Sequence, residues 1–311
     1  MTVREFYTRY GKTLRLKLVG TDAGYDRRIM EPALNRCGLA LTGFYTYFAE
    51  QRIQVIGNAE LSYLESLDDR QRASSFAQLC QQAIPCVILA RGHHLSDDLM
   101  EEAEKAGVSV FQSTMASMKL LNAATIRLQW AFAPTCTEHG CMVDIRGIGV
   151  LLRGTSGAGK SETVLGLIDR GASLVADDIV HLRALEGGDL MATAPDLSRY
   201  HMEVRGLGII NAAALFGVGV VRIEKALNMV ITLKANVELS EMERVGTKKK
   251  TFTILGVDVP HVELPVAPGR DLAKLIEVAA LDQKLKAFGH DSAVEFNNKL
   301  LETMRNHYDD I

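Results

Sequence analysis

Apolar and polar positions follow two rhythms along this chain. Leu14-Arg15-Leu16-Lys17-Leu18-Val19 alternates at a period of two and stops at Gly20, the pattern of a half-buried strand. Ile53-Gln54-Val55-Ile56, Ile84 to Ala90 and Val108-Ser109-Val110-Phe111 read as shorter, more buried strands. Between them the spacing turns helical. Asp22 to Arg36 is read as helical, with Pro32 as a break or a helix start. Ser96-Asp97-Asp98 opens a helix with acid in its first turns, where the helix dipole favours it, and Thr114 to Leu128 forms another. Strands separated by helices predict a parallel α/β sheet over residues 1–130. Ala131-Phe132-Ala133-Pro134-Thr135 reads as a linker.

Residues 131–311 are richer in strands. Met142 to Ile145, the pair Arg146-Gly147 and Ile148 to Arg153 predict a hairpin. Thr163 to Arg170 is a helix closed by Gly171, and Ser173 to Ala176 a buried strand. Leu227 to Leu233 and pieces of Thr251 to Val266 complete a mixed sheet. Asp271 caps a helix reaching Phe288-Gly289, and Ser292-Ala293-Val294-Glu295 fits a capping box. The helix after it carries Phe296, Leu300 and Met304 on one face, a core or subunit contact.

Composition narrows the class. A chain of 311 residues fits two domains, and 47% hydrophobic with 23% charged residues is ordinary for a soluble globular protein. A net charge of −3 argues against a polyelectrolyte role on nucleic acid. No apolar run is long enough to predict a membrane span, and the N-terminus lacks the apolar core of a signal peptide. Five cysteines without framework spacing point to a reducing cytoplasm. Cys136, His139 and Cys141 lie close together, but no fourth ligand is evident for zinc. His93-His94 reads as a surface turn.

The sharpest chemistry lies in Gly154-Thr155-Ser156-Gly157-Ala158-Gly159-Lys160-Ser161, which fits the phosphate-cradling pattern G-x-x-x-x-G-K-[ST]. A strand runs into it and a helix out of it, so backbone N–H groups and the helix N-terminus would face an anion. Lys160 would reach the β/γ-phosphates and the Ser161 hydroxyl would hold Mg²⁺. Asp177-Asp178 ends the next strand, where Mg²⁺ and an attacking group are handled beside such a loop. Glu203 to Asn211 is glycine-punctuated and presents Glu203 and Arg205. Lys248-Lys249-Lys250 is either solvated surface or a contact for phosphate or an acidic partner. Arg270, beside a helix N-terminus, is a second candidate anion site.

Together His139-Gly140, the loop Gly154 to Ser161 with Glu162, Val175 to Asp178, Glu203 to Asn211 and Pro265 to Arg270 resemble the bifunctional HPr kinase/phosphorylase family. Asn35 to Gly43 and Ile56 to Glu60 are similar too, so the likeness spans nearly the whole chain; Cys37 stands where a proline is expected. The resemblance implies an α/β protein, an N-terminal parallel-sheet domain followed by a P-loop-containing kinase domain with a mixed sheet. It implies ATP-dependent phosphorylation of a serine on the phosphocarrier HPr, and phosphorolysis of that phosphoserine by phosphate to pyrophosphate. It also implies Mg²⁺, a homohexamer and a part in regulating carbon metabolism. By position, His139, Lys160, Asp178 and Arg244 match its catalytic residues, and Ser161 and Glu203 its Mg²⁺ ligands. Met202 to Asn211 matches a stretch used in both reactions, and Pro265 to Arg270 one tied to dephosphorylation. Two other readings stay open on the residues: a P-loop kinase of a small metabolite, and a nucleotide-gated module without catalysis.

Overall fold

A computed structural model describes residues 1–235 and 250–309, with side chains through residue 304. They form two compact units, Met1–Phe132 and Ala133–Ile311. In the first unit, strands β1 (Leu16–Leu18), β2 (Leu34–Arg36), β3 (Ile53–Ile56), β4 (Cys86–Leu89) and β5 (Ser109–Ser113) form one sheet in the order β1-β5-β4-β3-β2. β2 to β5 are parallel, as the alternation of strands and helices predicts, and β1 closes one edge antiparallel to β5. Helices α1 (Val3–Tyr10), α2 (Gly38–Leu41), α3 (Asn58–Ser66), α4 (Asp69–Gln81), α5 (Asp97–Lys105) and α6 (Ser117–Phe132) cover it.

β4 shows why its strand reads as an unbroken apolar run. Val87 and Leu89 join an apolar cluster with Phe76 and Leu79 of α4, while Cys86 and Ile88 join another with Phe6 and Leu128. Successive side chains point to opposite faces, and here both faces are buried. The helical reading of Asp22 to Arg36 is wrong. The segment runs as turns into β2, and a Cβ on Gly24 would meet the Ser109 backbone N at 2.6 Å, so the chain lies tight against β5. α6 runs through Phe132 into the expected linker, and a strand starts at Thr135. His93 Nε2 lies 2.8 Å from Asn58 Oδ1.

The second unit has strands β6 (Thr135–His139), β7 (Cys141–Ile145), β8 (Ile148–Gly154), β9 (Ser173–Ala176), β10 (Ile179–Ala184) and β11 (Leu190–Thr193). It continues with β12 (His201–Val204), β13 (Gly208–Asn211), β14 (Glu224–Ala226), β15 (Met229–Lys234), β16 (Lys250–Ile254) and β17 (Val257–Pro265). A six-stranded mixed sheet has the order β16-β17-β15-β8-β7-β9, in which β17, β15 and β8 are parallel. A second, antiparallel sheet is ordered β14-β11-β10-β6, and β12 pairs with β13. The predicted hairpin is β7–β8, turning at Arg146-Gly147 with Ile145 opposite Ile148.

Helices α7 (Lys160–Asp169), α8 (Ala212–Phe216), α9 (Leu272–Ala287) and α10 (Ser292–Asp309) complete the unit. β8 is its central layer. Val150 and Leu152 pack with Val164 and Leu167 of α7 and Ile276 of α9, while Leu151 packs with Leu182 and Ala192 of the second sheet. The result is a helix layer, a mixed sheet and an antiparallel sheet. The capping-box reading at Ser292 needs correction: α10 begins at Ser292, and Asp291 Oδ1 accepts from Val294 N at 3.4 Å. Phe296, Leu300 and Met304 are exposed in this chain. Among the described residues, no helix is long and apolar enough to cross a membrane.

Candidate active site

Two apolar layers fix β8, so the loop leaving its end is held by the core. That loop, 155–159, delivers the chain into α7. Gly159 is the N-cap of α7 at φ 80°, ψ 26°, a left-handed conformation that costs an L-residue with a side chain about 1–2 kcal/mol. The side chain of Lys160 bends back over the loop, and its Nζ donates to Gly154 O at 3.0 Å and Thr155 O at 3.3 Å. Thr163 Oγ1 donates to Gly159 O at 2.6 Å, tying the loop to the first turn of the helix. At the loop tip, Arg205 Nη2 donates to Ser156 Oγ at 3.0 Å. A cleft here gathers Ser156, Gly157, Gly159, Lys160, Ser161, Asp177, Asp178, Glu203 and Arg205, with Cys141 in its wall.

The two acids ending β9 play different structural parts. Asp177 is 6% exposed. Its Oδ1 accepts from Cys141 Sγ at 2.7 Å and its Oδ2 from Glu203 N at 2.9 Å. Burial, reinforced by neighbouring Asp178, raises its carboxyl above the ordinary range despite these donors. Burial, and then Asp177, hold the Cys141 thiol well above its usual range, so it stays a protonated donor. Asp178 is exposed and sits at φ 63°, where an aspartate is tolerated better than most residues.

His139 ends β6 opposite Ile179, and the next peptide joins it to the acids: Gly140 N donates to Asp178 O at 3.0 Å. A Cβ on Gly140 would stand 2.3 Å from Leu152 O, so this close approach to β8 needs glycine. The fold thus brings Lys160, Ser161, Asp178 and Glu203 to one cleft and places His139 two residues before Cys141 in its wall. Arg244, with Lys248 and Lys249, lies outside the described residues. Lys250, the described member of that triplet, donates to Glu263 Oε2 at 2.7 Å, and Lys234 lies 3.2 Å from the same carboxylate.

The second anion site expected at Arg270 is not built. Asp271 Oδ1 accepts from Lys274 N at 2.9 Å and its Oδ2 from Arg170 at 2.6 Å, so an acid already fills that helix N-terminus. Nor is Arg270 among the residues lining the cleft. Cys141, grouped in the sequence with Cys136 and His139, turns instead to Asp177. Strand alternation could have marked Cys141 as buried, but its partner lies 36 residues away and carries no local signal.

The donors facing the cleft fit Mg²⁺. The Ser161 hydroxyl and the Glu203 carboxylate are hard oxygen ligands, with Asp178 beside them. Among the described residues, no cluster of three or more His, Cys, Asp or Glu could cage a metal alone. Mg²⁺ asks for no such cage, because it is usually held by one or two protein groups, substrate phosphates and water.

Comparison with known proteins accounts for both halves of the chain. Residues 130–300 match the family model described as HPr Serine kinase C-terminal domain, and residues 1–128 match HPr Serine kinase N terminus. The HPr kinase/phosphorylase of Bacillus pumilus (strain SAFR-032) is 39% identical over 295 residues, 95% of this chain and 95% of that protein. The HPr kinase/phosphorylase of Leptospira biflexa serovar Patoc is 41% identical over 289 residues, 92% of this chain and 90% of that protein. A solved structure of the Hpr(Ser) kinase/phosphatase from Coxiella burnetii is 34% identical, covers 52% of this chain and 98% of its own, and has a TM-score of 0.46. With both halves matched and full-length relatives near 40% identity, this chain belongs to the HPr kinase/phosphorylase family.

Proposed function

We propose that this protein phosphorylates a serine of HPr, or of an HPr-like phosphocarrier, with ATP, and that it phosphorolyses the same phosphoserine with phosphate. One observation carries the reading: the cleft that joins the glycine loop and Lys160 to Asp178 and Glu203. A nucleotide-gated module would need the loop but no base, whereas here a carboxylate faces the loop. Residues 133–311 are then the P-loop kinase domain. In the kinase direction the serine oxygen attacks the γ-phosphorus, the bond to the β-phosphate oxygen breaks, and Asp178 accepts the serine proton. In phosphorolysis a phosphate oxygen attacks the phosphoserine phosphorus, the serine oxygen leaves with a proton from Asp178, and pyrophosphate is the product.

Lys160 and the loop N–H groups orient the phosphates and offset their charge. Arg244 and His139 are assigned to catalysis by resemblance, Arg244 as a further cation on the transferring group. Ser161 and Glu203 would hold Mg²⁺, which supplies further charge neutralisation when bound. We also infer a cytoplasmic homohexamer acting in the control of carbon metabolism, as the family resemblance implies. Purified HPr, ATP and Mg²⁺ incubated with the protein should give HPr carrying one added phosphate by intact mass. Phospho-HPr with inorganic phosphate should give pyrophosphate. Transfer to a small metabolite with none to HPr would overturn the reading.

A further inference from the structure

The thiol–carboxylate contact between Cys141 and Asp177 has no part in the chemistry above. Both groups are nearly sealed from water, at 1% and 6% exposure. The Asp177 carboxylate takes hydrogen bonds from Cys141 Sγ and from Glu203 N. Each Asp177 oxygen therefore accepts a hydrogen bond from the chain itself, while the side chains of Asp178 and Glu203 are exposed at the cleft.

The three segments that meet at this carboxylate are the start of β7, the end of β9 and the middle of β12. β7 and β9 pair within the mixed sheet, with an irregularity in register between Met142 and Val143. Among the described strands β12 pairs with β13 alone, so the Asp177–Glu203 bond ties Glu203 to the larger sheet. A buried carboxylate that loses a donor leaves an acceptor unsatisfied, at a cost that favours local shifts.

We propose that Cys141 and Asp177 form a positioning pair that sets Glu203 and Asp178 in register with the phosphate loop. The inference rests on the proposed roles of Glu203 and Asp178. Neither member of the pair touches the reacting atoms. Cys141 locks the Asp177 carboxylate from β7, and Asp177 passes that constraint to the Glu203 peptide and the left-handed Asp178. Groups that orient a ligand in this way are typically worth about 10- to 100-fold in metal affinity.

The test compares Cys141→Val, which keeps an apolar side chain of similar size but loses the donor, with Cys141→Ser, which keeps a donor. Mn²⁺ binding in the presence of a non-hydrolysable ATP analogue is read by electron paramagnetic resonance. The Mg²⁺ concentration for half-maximal HPr phosphorylation is measured alongside. Cys141→Val should weaken Mn²⁺ binding about tenfold and raise the Mg²⁺ requirement by the same factor. Its rate at saturating Mg²⁺ should fall much less, and Cys141→Ser should return both values toward the parent. Asp177→Asn, which keeps the shape but cannot accept on both sides, should lose more than either. Unchanged Mn²⁺ binding in a folded Cys141→Val or Asp177→Asn variant overturns the inference. So does a Cys141→Ser variant as impaired as Cys141→Val. A parent protein that leaves HPr unmodified overturns the functional reading instead, whatever the variants do.

Discussion

Lys160 stands at the mouth of its loop with two neutral carbonyls as acceptors, Gly154 O and Thr155 O. Anionic phosphate oxygens are the stronger acceptors, so a bound polyphosphate would take these hydrogens over. Both proposed reactions put phosphate at this loop, and Lys160→Ala should therefore lose both, by about 10²- to 10³-fold or more, the scale of removing one preorganised donor. HPr phosphorylation and pyrophosphate release, assayed side by side, check it; phosphorolysis that survives would put its phosphate elsewhere. Lys160 and Ser161 stand out in the sequence because the loop motif fixes residue type and spacing together, whereas Asp178 is marked by its place after a strand and Glu203 takes its role from the family resemblance. At Arg270 the sequence shows a cation beside a helix N-terminus capped by Asp271, but not that Arg170, 101 residues away, pairs with the same Asp271 carboxylate.

At the scale of elements, α3 is held to β2 by a buried ion pair. Glu60, 5% exposed on its side chain, accepts from Arg36 Nε at 3.1 Å and Nη2 at 2.9 Å and from Gly57 N at 2.9 Å. Burial pushes the Glu60 carboxyl up, but these donors outweigh it and the net displacement is downward. Glu60→Gln leaves Arg36 facing a neutral amide and should cost about 1–3 kcal/mol in urea unfolding of the first unit. The figure is below that of a fully buried pair because the Arg36 side chain is 43% exposed. An unchanged midpoint would refute it.

His261 of β17 makes a pH prediction. Burial lowers its pKa, and Thr232 Oγ1 lies 2.8 Å from its Nε2. A histidine whose folded pKa is depressed binds protons more readily when unfolded. Stability is therefore full above the unfolded value of about 6.5 and falls as pH drops from there toward the folded value. His261→Gln should flatten that slope in thermal melts between about pH 7 and 5, and an unaltered slope would exclude His261 as its source. A run buried on both faces, such as β4, is readable because its apolar stretch is continuous. Asp22 to Arg36 was misread because Gly24 serves a distant contact with β5, which helical spacing cannot reveal.

On the scale of the whole molecule, each apolar cluster draws its residues from one unit. The two around the first sheet lie within residues 1–132, and the two around β8 begin no earlier than Cys136. The units divide after Phe132, two residues before Pro134, where the sequence pattern breaks. The second sheet was not legible in the sequence, because β10, β11 and β14 are short and pair mainly with partners distant in sequence. The cleft is lined only by residues of the second unit, from Cys141 to Arg205. A fragment of residues 133–311 therefore keeps a complete apolar core and every described group assigned to the chemistry. It should fold cooperatively and retain both HPr phosphorylation and phosphorolysis within about tenfold of the full chain, a difference below about 1.4 kcal/mol in barrier height. Circular dichroism on melting and the two HPr assays test this. A fragment that melts cooperatively but has lost both reactions would show that the first unit, although it has cores of its own, supplies something the site requires.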